Sequence, residues 1–168
     1  MANQERSLGG PMKTSNQLQT MAITYAEICQ GKTPWVALGN FMNDWFDDAK
    51  ELREQLVAEP IVLPSQPDRE MLRWAGFCAA SVEWLCARYK VPCSSWVSDP
   101  AFILVEPWFD DPCADQPEVR EWLLHDMPEP FRWRNVYCGD RLFENKYEFV
   151  EQVRQPRREH HKQTDPHA

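Results

Sequence analysis

The sequence predicts an all-α protein, a single compact domain of about five helices with a proline-rich segment wrapped over them. Apolar residues recur at three- and four-residue steps over two long stretches, which places them on one side of a helix. No two stretches show the alternation of apolar and polar residues that paired strands require. The chain has 168 residues, 43% of them hydrophobic, which is enough for one ordinary core.

The predicted domain spans residues 21–153, between a disordered lead at 1–20 and a disordered tail at 154–168. The lead contains a Gly-Gly-Pro break, and the tail has no apolar periodicity. Neither segment has an apolar stretch suited to a signal peptide or a membrane anchor. We therefore expect a cytoplasmic protein that does not associate with membranes.

Capping and stop residues mark the first two predicted helices. Thr24 begins a Thr-x-x-Glu capping box and Gly31 is a natural stop, which predicts a helix over 24–30. A Thr-Pro pair then begins a second helix, predicted over 34–59, because Pro60 cannot continue it. One side of this second helix is apolar along its whole length, which is typical of a helix that packs on a core.

The third predicted helix, 67–90, is apolar over more than half of its circumference, which indicates the central helix of the domain. The stretch 92–130 is rich in proline and aromatic residues, so we expect it to wrap over the helices. Within that stretch a short helix is predicted from Pro117 towards Pro128. Two further short helices are predicted in the last part of the domain, on either side of Gly139.

The net charge of −8 is unevenly distributed along the chain. Residues 21–150 carry 12 basic and 22 acidic side chains, which gives them a net charge of −10. This balance argues against a protein held on nucleic acid by phosphate neutralisation. Sequence-specific DNA binding stays open as a third possibility, because a dipolar protein can still offer one positive end.

Five carboxylates recur on the side of the second helix opposite its apolar stripe: Asp44, Asp47, Asp48, Glu51 and Glu54. The first four of them are the candidate partner-binding residues. Like charges at these helical spacings repel one another by a few tenths of a kcal/mol per pair, about 0.2–0.5. A docking surface for a partner protein with a basic surface would offset that repulsion. Two other interpretations stay open: an ordinary solvated face, and a divalent-cation site, which a single row of carboxylates suits poorly.

A basic cluster near the end of the domain is the alternative candidate site. It consists of Arg132, Arg134, Asn135, Arg141 and Lys146. Arginine binds phosphate and carboxylate groups bidentately, so the cluster suits an enzyme or ligand-binding protein with an anionic substrate. The structural interpretation is that these cations pair with the carboxylates of other helices.

Metal, cofactor and enzyme signatures are absent from the sequence. The six cysteines contain no C-x-x-C pair, so we predict no metal site, and nothing in the sequence calls for a cofactor. His125, followed by Asp126, is the one histidine of the predicted domain, and a helix-end role suits it better than general-base catalysis. The sequence leaves enzymatic activity undecided and favours an interaction protein.

Three segments carry a resemblance to known proteins: ITYAEICQGKTPWVALGNFMNDWF, WAGFCAASVEWLCARYKVPCSSWVSDP and FRWRNVYCGDRLFENKYEF. The chain resembles, over residues 22–150, a family of uncharacterised bacterial helical proteins. Such proteins are encoded beside nucleotidyltransferase-like genes in toxin–antitoxin or mobile-element settings. The resemblance implies a partner-protein role, in which the chain binds and neutralises a nucleic-acid-acting protein, and it identifies no catalytic residues.

Overall fold

The computed structural model describes residues 17–139 and 143–144. In this part of the chain the all-α prediction is confirmed: six α-helices and one pair of very short strands form a single packed unit. Their bounds are α1 Met21–Cys29, α2 Pro34–Asn43, α3 Arg53–Ala58, α4 Arg69–Tyr89, β1 Trp108–Phe109, α5 Pro117–Asp126, α6 Glu129–Arg132 and β2 Val136–Tyr137. A π-helical turn occupies Asp44–Asp48, and 3-10 turns occupy Lys50–Leu52, Ser95–Ser98 and Pro100–Phe102.

Helix α1 begins earlier than predicted because Thr20, and not Thr24, is its N-cap. The Thr20 hydroxyl oxygen accepts a hydrogen bond from the Ile23 amide at 3.2 Å. Thr24 is buried one turn later, and its hydroxyl donates to the Thr20 carbonyl at 2.9 Å. Leu18 packs against the core as well. Residues 17–20 therefore belong to the packed domain and not to a disordered lead.

Helix α4 is the central helix, as its wide apolar surface predicts. The Asp68 carboxylate caps it by accepting from the Met71 amide at 2.8 Å, and Lys90 ends it with a left-handed backbone at φ 56°. Between these ends, α4 contacts α1, α6, β2 and two of the 3-10 turns. Its middle is buried without interruption from Trp74 to Val82.

The second predicted helix is not continuous. The Ala49 amide donates to the Asp44 carbonyl at 2.9 Å, a π-type bond five residues back, and Ala49 then leaves helical geometry at φ −137°. The chain resumes through a 3-10 turn before α3. Leu52, which the continuous stripe would bury, is 38% exposed as a result.

Residues 92–130 wrap over α4 as predicted, but they contribute one strand to a strand pair that the sequence does not indicate. The two strands are parallel, and Trp108 is paired with Val136. The Trp108 amide donates to the Asn135 carbonyl at 2.8 Å. The helix predicted before Gly139 is reduced to the four residues of α6, and the last predicted helix lies outside the described residues apart from 143–144.

Gly76 permits the close approach of α4 to the wrapping segment. A Cβ atom at this position would lie 3.0 Å from the Phe102 carbonyl oxygen, which is tighter than ordinary contact. We expect Gly76→Ala to lower the free energy of unfolding by about 1 kcal/mol or more, because overpacking outweighs the gain in helix propensity. Gly39→Ala, in α2 with no atom within 4 Å of the new Cβ, should raise it by about 0.5–1 kcal/mol. Equal urea midpoints for the two variants would contradict this account.

Candidate functional site

The four predicted partner-binding carboxylates lie together at the break between α2 and α3. We call Asp44, Asp47, Asp48 and Glu51 the acidic surface; Asp44 to Asp48 form the π-turn and Glu51 follows in the 3-10 turn. Asp47, Asp48 and Glu51 are exposed, whereas Asp44 is half-buried. The structure therefore places all four residues in two successive turns, and not along a straight helix face.

Asp44 differs from the other three carboxylates because it holds the start of the domain. Its Oδ2 atom accepts a hydrogen bond from the Gln19 amide at 2.7 Å, twenty-five residues away. The Gln19 side chain also donates to Glu27 at 2.8 Å. Asp44 thus has a structural partner, and the exposed part of the acidic surface is Asp47, Asp48 and Glu51.

Arg53, one of the two cations nearest in sequence to the acidic surface, contacts the interior. Its Nε atom donates at 2.9 Å to the Trp45 carbonyl, which the π-turn leaves without a helical donor. Its guanidinium lies 4.4 Å from the centre of the Tyr89 ring, a cation–π distance. Among the described residues, the salt bridges include neither Asp47 nor Glu51.

Arg134, the centre of the predicted basic cluster, is fully buried. Its guanidinium lies 2.6 Å from a carboxylate oxygen of Glu83 on α4, and it donates to the carbonyls of Pro130 and Val97, each at 2.6 Å. Burial lowers the pKa of the Arg134 guanidinium, although the adjacent Glu83 carboxylate opposes that shift. Arg134 therefore joins α4, α6 and the wrapping segment and does not face an external anion.

The rest of the basic cluster does not form a site in the described residues. The Asn135 side chain donates to the Leu104 carbonyl at 2.7 Å, and Asn135 has a left-handed backbone at φ 60°. Arg132 is exposed. Arg141 and Lys146 lie outside the described residues. The structural interpretation accounts for Arg134 and Asn135, whose polar groups bind other parts of the same chain.

The cysteines and His125 show no arrangement typical of metal binding. All six cysteines are free, and no group of three metal-ligating side chains occurs in the described part of the chain. Cys86 is almost fully buried on α4, and burial raises the pKa of its thiol to about 12, so it is protonated at neutral pH. His125 is exposed in the last turn of α5, the position expected for a helix-end residue.

A groove of about 510 Å³ lies beside the first turns of α4. Arg69, Arg73 and Glu106 are its charged side chains. The remaining lining residues are apolar: Leu72, Pro100, Ala101, Ile103, Leu104 and Val105. The 3-10 turn at Pro100–Phe102, which contributes Pro100 and Ala101 to the groove, packs closely against α4 at Gly76. An apolar run between prolines, 101–105, is the one sequence signal for it.

The fold and these two surfaces define a compact helical protein with an exposed acidic turn and a separate apolar groove. No protein-family model, curated protein or solved structure matches the chain. In residues 17–139 and 143–144, no helix has the length and apolar character needed to cross a membrane. The contacts and charges of the two surfaces therefore carry the functional inference.

Proposed function

We propose that this chain is a protein-interaction and regulatory protein whose acidic surface binds a partner protein with a basic surface. The observation that carries the proposal is the position of the exposed carboxylates, Asp47 and Asp48 in the π-turn and Glu51 in the 3-10 turn that follows it. Single π-turns inside helical segments occur frequently at functional sites. Here the exposed carboxylates outnumber the one exposed cation of these turns, Lys50, because Arg53 contacts Trp45 and Tyr89 in the interior.

A basic partner suits this surface for an electrostatic reason. Complementary charge steers two proteins together and fixes their orientation, even where its contribution to affinity is small. Three exposed carboxylates, Asp47, Asp48 and Glu51, lie within five residues. A partner with arginine or lysine side chains can pair with them on binding, so the surface favours cationic partners over neutral ones.

The partner proposed is a nucleic-acid-acting protein, such as a nucleotidyltransferase-like toxin, which the chain neutralises in the cytoplasm as an antitoxin does. The resemblance noted for residues 22–150 supports this choice of partner. A protein that acts on nucleic acid needs a basic surface to hold phosphates, and an acidic protein can cover such a surface. The net charge of −8 supports a protein as the partner, since it disfavours direct binding of this chain to nucleic acid.

Affinity capture with charge-reversed variants tests the proposal. The test variant carries Asp47→Lys, Asp48→Lys and Glu51→Lys, all at exposed positions. The control variant carries the same three changes of charge on α5, at the exposed residues Glu118, Glu121 and Asp126. We expect the wild-type protein and the control to retain the same basic protein from the source cells, and the test variant to lose it.

Two results would contradict the proposal. The first is retention of the same proteins by all three forms, which would show that the acidic surface does not take part. The second is that the protein retained through the acidic surface is itself acidic. Far-ultraviolet circular dichroism of all three forms, with equal urea midpoints, ensures that loss of the partner reflects the surface and not the fold.

A further inference from the structure

The groove beside α4 combines an apolar wall with two guanidinium groups. Its volume of about 510 Å³ lies in the range of pockets that hold small molecules, about 300–1,000 Å³. Ile103 and Val105 form part of the apolar wall, and they are 38% and 97% exposed. An apolar chain laid in this groove would remove both side chains from water, which is favourable by about 25 cal/mol per Å² buried.

The two guanidinium groups come from successive turns of α4 and line the same groove. Arg69 lies 3.2 Å from Glu106, and both side chains are mostly exposed, at 69% and 76%. Arg73 pairs with Glu70, which is also largely exposed. The Arg69–Glu106 pair is exposed on both sides and contributes little, about 0–1 kcal/mol, so a ligand carboxylate can replace Glu106 at small cost.

Arg73 is the better anchored of the two arginines. Its guanidinium lies 5.6 Å from the centre of the Trp108 ring, and its side chain is 23% exposed. Trp108 in turn packs edge-on against Trp74 at 5.1 Å. A guanidinium held by an aromatic ring loses less conformational freedom when it binds an anion, and its planar donors fit a carboxylate bidentately.

We propose that this groove binds a small amphipathic acid, with its apolar chain against Leu72, Ile103 and Val105 and its carboxylate on Arg69 and Arg73. The proposal goes beyond the partner-binding function, because none of the groove residues belongs to the acidic surface. Each half of such a ligand has a counterpart in the groove. An apolar alcohol lacks the anionic group, and a short acid lacks the chain, so both bind more weakly.

Calorimetric titration with octanoate, octan-1-ol and acetate tests this assignment on the full chain. We expect saturable one-to-one binding of octanoate. The affinity for octan-1-ol should be at least about tenfold lower because it lacks the charge-assisted hydrogen bond, and that for acetate at least about tenfold lower because it lacks the apolar chain. Octan-1-ol binding as tightly as octanoate would overturn the carboxylate assignment. Acetate binding as tightly would overturn the apolar one, and the absence of octanoate binding would overturn the proposal itself.

Variants locate the ligand in the groove. Arg69→Gln and Arg73→Gln should each weaken octanoate binding about tenfold and leave octan-1-ol binding unchanged, whereas Arg132→Gln, at an exposed position of α6, should change neither. Arg69 is exposed enough that its replacement leaves the fold intact, so it remains informative if Arg73→Gln is unstable. Octanoate affinity equal to the wild type in Arg69→Gln would overturn the proposal.

A matched pair of variants tests where the apolar chain of the ligand lies. Val105→Thr places a hydroxyl in the groove without a change of shape, and Val36→Thr makes the same change at an exposed position on α2. We expect Val105→Thr to bind octanoate about threefold more weakly, which corresponds to part of the free energy of burying one methyl group. Val36→Thr should bind octanoate with the wild-type affinity. Equal affinities for the two variants would contradict the placement of the chain.

Discussion

Replacement of Arg134 by alanine is expected to lower the free energy of unfolding by about 3–5 kcal/mol, because it breaks a buried ion pair by removing one partner. The Arg134 guanidinium is fully buried and lies 2.6 Å from Glu83. It also donates to two carbonyl groups, of Pro130 and Val97, which would keep no partner in the variant. Urea unfolding followed by tryptophan fluorescence measures the loss.

Arg132→Ala is the matched control for this prediction, since Arg132 is an exposed arginine two residues away. We expect it to change the free energy of unfolding by less than about 0.5 kcal/mol. Arg134→Lys should recover only part of the stability, because a single ammonium group cannot reproduce the planar donor set. If Arg134→Ala unfolded at the wild-type urea concentration, the structural role assigned to this residue would be wrong.

Truncation of Phe77 to alanine is expected to cost about 3–5 kcal/mol, the range for a fully buried aromatic side chain. Phe77 lies in the middle of α4, and its ring contacts the rings of Trp35 on α2, Phe131 on α6 and Phe143 at 5.7, 5.7 and 6.4 Å. The loss therefore loosens several elements from the central helix at once. A thermal scan by calorimetry gives the change in stability.

Trp122→Ala is the control for the aromatic truncation, because Trp122 is 43% exposed on α5 although its sequence pattern places it on an apolar stripe. We expect a change well below that of Phe77→Ala, of at most about 1 kcal/mol. Similar losses for the two variants would show that α4 is not the centre of the core.

The parts of the fold that local sequence determines were predictable. The Thr-Pro pair at Thr33 gives the start of α2 at Pro34, and the width of the apolar surface identifies α4 as central. The sequence places the start of α1 one turn too late, because Thr24 with Glu27 matches a capping box and Thr20 does not. Burial decides otherwise: the core encloses Thr24, which leaves Thr20 at the helix end.

The break after α2 was not predictable, because long-range packing produces it. The residues from Asp44 to Leu52 keep helical periodicity in the sequence. In the structure, Trp45 is fully buried and packs edge-on against Tyr89, at the far end of α4, at 5.9 Å. Arg53 then donates to the Trp45 carbonyl, which the π-turn leaves free of its helical donor. No pattern within a single segment encodes these contacts.

The candidate sites also differ in how far the sequence predicts them. The acidic surface was visible in the sequence because its four carboxylates are close along the chain and needed only an exposed turn. The basic cluster was also close along the chain, but Arg134 found its partner in Glu83, fifty-one residues earlier. The groove joins α4 to residues 100–106, so its two walls could be matched only after the fold was known.

The rate at which the captured partner associates with this chain tests the central claim most directly. The comparison is between the wild type and a variant with Asp47→Asn, Asp48→Asn and Glu51→Gln, at low and at physiological salt. If the acidic surface steers a basic partner, neutralisation should slow association about tenfold at low salt and flatten its dependence on salt. Identical association rates and identical salt dependence for the two proteins would contradict the account.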